Sequence, residues 1–394
     1  MDHILIVRED SDYDSVNYFI REMSECFEEH EIRVSMLDAD DEESVKQITE
    51  ESREIAYDMI FAINGMLLDE DSEIGRRLLR PGTIYCTMLM EHPMWFDKKL
   101  KHEFPRIVVL CPDRFHVEYV ETHYPNIWHT VFLPHGGCQS VGQIPFEEKR
   151  MDISFFGTYI KPERVMKRIQ EADGTESMLM ERMVDRLLKE DKQTIEMALR
   201  DVLREVGYTS DDEAVAQWLP RMKDVDLYVR AYYRDKVIRV LGEGGLRVDL
   251  YGNGWDDFDG RAVRHHGVNF AESLELMADS RVSLNIMPWF KAGSHDRICS
   301  AMLCGSLVVT DNSQYLEEAF GEEHFQRFAL DNLEELVEDV HEILADAGYS
   351  QERINHAREF ALRNHSWENR AEELLGYLWQ IEEKTCNSGE TVVI

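Results

Sequence analysis

Basic residues are scarce in this sequence. Its 43 Lys and Arg stand against 78 Asp and Glu, a formal net charge of −35, and a field of that sign repels phosphate backbones and anionic lipid. Nucleic-acid binding as the main function is thereby disfavoured, while a few local cations inside a cleft can still hold a small anion. No apolar run reaches the ~18 residues that a membrane span needs. The start, MDHILIVRED, has neither the basic leader nor the long apolar stretch of a signal peptide. These absences predict a soluble cytoplasmic protein with no membrane span. There is no CxxC pair: Cys26, Cys86, Cys111, Cys138, Cys299, Cys304 and Cys386 form an odd set in largely apolar surroundings, expected to be reduced core thiols. Internal repeats, collagen-like periods and low-complexity linkers are missing too.

What the chain has is length and apolar content. Its 394 residues, 43% hydrophobic and 10% aromatic, fit two domains of about 150 to 200 residues each. In the first half, near-continuous apolar runs (His3 to Val7, Ile32 to Leu37, Asp58 to Asn64, Thr83 to Met90, Arg106 to Pro112, Thr130 to Gly137) alternate with helical stretches such as Tyr18 to His30. That pattern predicts a parallel sheet covered on both faces. A second series opens at Met151 to Tyr159, after the polar tether QIPFEEKR, and resumes at Leu246 to Trp255, Val263 to Gly267, Val282 to Pro288 and Ser306 to Asp311. Between Gly157 and Gly252 lies a long stretch with helical spacing, Pro162 to Leu241. The expected fold is α/β: two Rossmann-like domains facing a cleft, residues 1–148 and 149–375, with a helical insertion at 162–241 in the second. Residues 376–394 form a helix end and tail, the last helix being long enough to pack across the first domain.

Open α/β sheets bind ligands beyond the C-terminal ends of their strands, so the residues just after each strand matter most. The richest segment is Asn285 to Asp311. There a strand ends near Met287, a loop carries Trp289, Lys291 and Gly293, Ser294 is a good N-cap, and a helix runs to Cys304 before Gly305. Free N–H groups at that helix start, aided by Lys291 and Arg297, suit a phosphate-sized anion, and Gly293, Ser294, His295 and Arg297 are the expected ligand contacts. The bland reading is a capped helix whose Ala301, Met302 and Cys304 pack on the sheet. The Asp-x-Asp triplets Asp10/Asp12, Asp38/Asp40 and Asp224/Asp226 read as solvated charge rather than metal sites in so acidic a chain.

The order strand, Gly-bearing loop, RICSAMLCG, strand, Thr310-Asp311 resembles the donor-site region of bacterial GT-B glycosyltransferases of the spore-maturation type, similar to glycosyltransferase family 1. DISFFGTY resembles the strand and turn that open the donor domain, and VDLYGNGW its next strand. More thinly, EHP at Glu91 to Pro93, CPDRFHVEYV and FLPHGG resemble an acceptor-side domain. The resemblance implies a hexosyltransferase-type enzyme, independent of metal and of cofactor, that moves a sugar from a nucleotide-diphosphate donor, a UDP-sugar, to a glycan, protein or small-molecule acceptor. Donor contacts are then expected from Gly157, Thr158 and Tyr159, from Gly252, Asn253 and Gly254, and from Lys291 and the Gly293 to Arg297 segment. Trp255 reads as core. Many relatives hold the ribose with a Glu where this chain has Ser300, so either Glu317 or Glu318 takes that role or the nucleotide is gripped differently. On the first domain His135 and Glu91 are the candidate catalytic groups, whereas Asp113 and His116 read better as a helix cap and an exposed turn. A nucleotide-sugar 2-epimerase and a non-catalytic binding subunit are the rival readings, and a homo-oligomer is left open.

Overall fold

The computed structural model describes residues 1–9, 13–69 and 72–388, with 382–388 by backbone only. Asp10, Asp12, the side chain of Cys386 and the tail 389–394 lie outside the described residues. The chain divides into two compact units, residues 1–136 with 365–394, and residues 137–364. The break falls earlier than the expected 148/149 because the tether is built into the second unit. Cys138 N donates to Ser300 Oγ at 3.1 Å and Phe146 N to Gln351 Oε1 at 2.8 Å. The final helix belongs to the first unit from residue 365.

The first unit runs β1 (His3–Arg8), α1 (Ser15–Glu29), β2 (Arg33–Asp38), α2 (Glu42–Glu51), β3 (Met59–Ile63), α3 (Glu73–Leu78), β4 (Ile84–Met88), α4 (Asp97–Leu100), β5 (Ile107–Cys111), α5 (Arg114–His123) and β6 (His129–Phe132). The second opens with β7 (Met151–Phe156), followed by α6 (Pro162–Glu171), α7 (Gly174–Leu187), α8 (Ile195–Glu205), α9 (Asp212–Trp218) and α10 (Lys223–Glu243). It continues through β8 (Val248–Tyr251), β9 (Val263–Arg264), α11 (Phe270–Ala278), β10 (Ser280–Asn285), α12 (Asp296–Leu303), β11 (Leu307–Asp311), α13 (Gln314–Ala319), β12 (Phe325–Phe328), α14 (Leu333–Ala345) and α15 (Ala347–Asn364). α16 (Trp367–Ser388) returns to the first unit, where it packs on α1.

Both sheets are six-stranded and parallel. Their orders are β2-β1-β3-β4-β5-β6 and β12-β11-β10-β7-β8-β9. β1, β3, β4 and β5 are buried almost throughout, as strands covered by helices on both faces must be. Counted within its own unit, the second sheet has the Rossmann order 3-2-1-4-5-6, and its order reverses between β7 and β10. Cys26, Cys86, Cys111, Cys138, Cys299 and Cys304 are free and buried, and burial pushes the Cys86, Cys111 and Cys304 thiols up, which makes them packing groups rather than nucleophiles.

The expected insertion at 162–241 is five helices, and the last of them is not an insertion. Joining parallel β7 to β8 requires a crossover helix, and α10, which leads directly into β8 and touches it, is that helix. The added material is therefore α6 to α9.

Candidate active site

The switch point between β7 and β10 is where a Rossmann sheet leaves room for a ligand. Two loops meet there: Gly157 to Tyr159 after β7, and Ile286 to His295 after β10. Arg297 ties them together, because its Nη1 donates to the Phe156 carbonyl and its guanidinium lies over the Phe155 ring, 5.7 Å from the centroid. Arg297 is buried.

The helix cap differs from expectation. His295, not Ser294, caps α12: its backbone is extended and its Nδ1 accepts from Arg297 N at 3.3 Å. The imidazole is also held by Arg297 Nη2, 3.0 Å from Nε2, and lies 2.7 Å from the Asp296 carboxylate. Ser294 is instead buried one step before the cap, and its Oγ has no hydrogen-bond partner. Trp289 Nε1 and Asn285 Oδ1 are in the same condition. Three orphaned buried polar atoms within ten residues call for an explanation, and a ligand or ordered water at this loop provides one. Gly293 gives its carbonyl to Ser313 Oγ at 2.7 Å. Lys291, expected beside Arg297, reaches elsewhere: its Nζ donates to the Asp191 carbonyl on the segment between α7 and α8.

The glycines after β8 serve the protein's own backbone. Gly252 (φ 139°) and Gly254 (φ 85°) would each place a Cβ against the β7 turn, 2.4 Å from the Gly157 carbonyl oxygen and 2.2 Å from that of Tyr159, a clash that no side chain escapes. Tyr159 N donates to Asn253 O at 2.8 Å, and Trp255 Nε1 to Gly157 O at 2.8 Å. The β7 and β8 turns are thus laced together, with Thr158 and Asn253 exposed at the rim. Tyr159 is buried, stacks on Trp255 at 4.8 Å and donates to Asp235 at 2.7 Å. Burial and that carboxylate raise its phenol.

Two arginines of α10 reach this point, unforeseen from the sequence. Arg234 donates to Thr158 O at 2.7 Å and lies 5.6 Å from the Trp289 ring. Arg230, in a buried ion pair with Asp226 at 2.7 Å, covers the same ring at 4.0 Å. Thr158 and Trp289 lie tens of residues from both arginines in sequence, so no local motif announces this arrangement.

Ser300 faces the tether, bound to Cys138 N. Glu317 is exposed and accepts from Asn312 at 2.6 Å, and Glu318 is exposed beside it. Both follow β11, the strand next to β10 in the sheet, and Glu317 lines a cavity together with Phe290 and Lys291 of the β10 loop. In the first unit, Glu91 follows β4 half-buried, and His135 follows β6, buried, its ring 6.0 Å from Trp367. Asp113 caps α5, accepting from Phe115 N at 2.8 Å. His116, expected on an exposed turn, is buried against His92 at 4.7 Å, because its side of α5 turns inward. Asp38, Asp224 and Asp226 are engaged by Arg8, Arg168 and Arg230. Among the described residues, no group of three or more His, Cys, Asp or Glu could hold a metal ion, and no helix is long and apolar enough to cross a membrane.

No curated protein matches the chain by sequence at a significant level. Residues 234–376 match the profile of the glycosyl transferase-like family, a segment that begins inside α10 and contains the whole β10 loop and α12. Among solved structures, a sucrose-phosphate synthase from Thermosynechococcus elongatus aligns over 98% of this chain and 100% of its own, at 11% identity and a TM-score of 0.52. Alr3699/HepE of Anabaena, solved with UDP and glucose, aligns over 96% and 100%, at 11% identity and a TM-score of 0.50. An α-glucosyltransferase solved with UDP and a 13-mer DNA aligns over 96% and 99%, at 11% identity and a TM-score of 0.54. At such identities the likeness is one of fold: the chain has the two Rossmann-like domains of the GT-B glycosyltransferases, and its residues 234–376 are glycosyl transferase-like in sequence.

Proposed function

We propose that this protein is a nucleotide-sugar-dependent glycosyltransferase of the spore-maturation type, with a UDP-sugar as donor. The observation that carries the reading is the β10 loop. It lies at the switch point of a Rossmann sheet, inside the segment that matches the glycosyl transferase-like family, with Ser294, Trp289 and Asn285 presenting buried polar atoms that lack partners. UDP in two of the GT-B neighbours supports the choice of nucleotide. The DNA bound by one of them does not transfer as an acceptor class, since a net charge of −35 opposes a polyanion.

Transfer breaks the bond between the donor's anomeric carbon and its diphosphate oxygen and makes one to an acceptor oxygen. Negative charge grows on the departing diphosphate, and Arg297, Arg234 and the N–H groups at the start of α12 neutralise it without a metal ion, Lys291 joining them only by leaving the Asp191 carbonyl. Gly157 to Tyr159, Gly252 to Gly254, Gly293 to His295 and Glu317 complete the donor assignment. The acceptor's proton goes to His135 or Glu91 if the enzyme inverts, and to the donor phosphate if it retains.

UDP and UDP-sugars are expected to raise the unfolding temperature, by an amount equal to about 2.7 kcal/mol at 100 times the dissociation constant. Arg297→Ala is expected to weaken UDP binding by about 1.5 to 3 kcal/mol, the range for a hydrogen bond to a charged group. Unchanged UDP affinity in that variant by titration calorimetry removes Arg297 from the site, and the absence of any nucleotide shift in the wild type removes the reading. For an inverting enzyme, His135→Ala or Glu91→Gln is expected to lower kcat by about 10²- to 10⁴-fold at nearly constant donor affinity. Wild-type turnover in both variants takes the base away from the first unit.

A further inference from the structure

The second unit holds a cavity that shares only Lys291 and Glu317 with the donor assignment. It opens at the C-terminal ends of β11 and β12, has a volume of about 580 Å³, and is walled on one side by Asp191 and Lys192 of the segment between α7 and α8. That size falls within the ~300–1,000 Å³ of small-molecule sites. Its lining disfavours an anion, because five carboxylates face three cations, Lys192, Lys291 and Arg327, and two of the three are engaged: Lys291 with the Asp191 carbonyl and Arg327 with Glu322 at 2.9 Å. The remaining chemistry is that of short polar groups around apolar faces. Gln314, Gln326 and Asn332 bring primary amides, each a donor and an acceptor, of which Gln326 and Asn332 donate to Asp339 and Glu335, and Phe290 and Phe328 bring rings.

At the floor stands Asp311, only 3% exposed. One of its oxygens accepts from Met287 N at 2.7 Å. A carboxyl at the wall of a cavity has acceptor capacity for a ligand's hydroxyl, each carboxyl oxygen carrying two lone pairs.

We propose that this cavity is a saccharide subsite, taking a neutral oligosaccharide whose hydroxyls bond Asp311 and the amides while its C–H faces lie on the rings. Hydroxyls that both donate and accept match amides and a carboxyl; a diphosphate or a nucleotide does not match this charge. The choice of saccharide among neutral ligands rests on the glycosyltransferase reading. The subsite gives the added helices α6 to α9 a role, since the segment between α7 and α8 closes one wall.

The test is saturation-transfer NMR on the full-length protein with neutral trisaccharides of gluco-, galacto-, manno- and N-acetylglucosamine type at millimolar concentration, beside UDP thermal shifts. At least one saccharide is expected to bind saturably. Ala329→Trp, an exposed position on the rim, is expected to abolish that binding, and Gln314→Ala, also an exposed side chain, to weaken it about tenfold, as the loss of one or two hydrogen bonds does. UDP shifts are expected to stay unchanged in both variants. The proposal is overturned if no trisaccharide binds the wild type, or if binding survives undiminished in both variants. Loss through misfolding is separated by the UDP shift, which a misfolded variant also loses, and Gln314→Ala then decides. Saccharide binding by a protein that ignores UDP and UDP-sugars sinks the donor reading and leaves the subsite standing.

Discussion

Asp311 shows how much of the site's behaviour a single side chain carries. Burial raises its carboxyl to about 7, against the pull of Met287 N–H and the charges of Lys291 and Arg297. A carboxyl whose pKa is higher folded than unfolded stabilises the fold in its protonated form, so its contribution is complete below the unfolded value near ~4 and is lost as pH rises through about 7. Asp311→Asn keeps an acceptor for Met287 N–H and removes the titration. The wild type is therefore expected to lose stability relative to Asp311→Asn between about pH 4 and 7, by up to a few kcal/mol, and to run parallel to it above that. Chemical denaturation of both proteins across that range reads it directly, and a constant difference at every pH shows that Asp311 does not titrate in this window. Residues such as this are legible in the sequence only as positions. Arg297 was readable because it sits two residues into a helix that follows a strand and a glycine loop. His295 as the cap was not, since Ser294 has the better cap chemistry and only the buried geometry moves the cap one residue on. Arg234 was hidden because its partner Thr158 lies 76 residues away, and pairing over that distance is settled by packing.

Elements were easier to see where burial is uniform. β1, β3, β4 and β5 are runs of apolar residues because both faces are covered, and any such run reads as a buried strand. β12 escaped because FQRF is an edge strand with only its two phenylalanines buried, which leaves no run to notice. β9 shrinks from the expected Val263 to Gly267 to two exposed residues. It too is an edge, and its pairing ends at Arg264. The stretch 162–241 is legible as helical but not in its division, since amphipathic spacing looks the same in an added helix and in a crossover helix. Connectivity makes the difference: a parallel β7-to-β8 step must keep one helix, and α10 is the one that delivers Arg234 to the β7 turn and Arg230 to Trp289 of the β10 loop.

At the scale of the whole chain, the last helix returning to the first unit has an energetic consequence. Trp367 opens α16 fully buried, stacked on Phe19 of α1 at 4.4 Å. Arg370, 2% exposed, is tied to His365 at 2.7 Å and to Glu373 at 2.7 Å. Ala371, Leu374, Leu375 and Leu378 are buried along the same face, so the first unit's core contains residues from both ends of the sequence. Truncating a buried tryptophan to alanine costs about 3–5 kcal/mol, a large part of the ~5–15 kcal/mol by which a domain is stable. Trp367→Ala is therefore expected to destabilise the first unit by that amount. The second unit contains neither Trp367 nor Phe19, so its unfolding and its response to UDP are expected to stay where they are in the wild type. Hydrogen exchange read segment by segment separates the two: protection is expected to fall in β1, β3 and α1 and to hold in β7, β10 and α12. An equal loss of protection in both units shows instead that they unfold as one cooperative body, and that α16 stabilises the entire chain rather than the unit it joins.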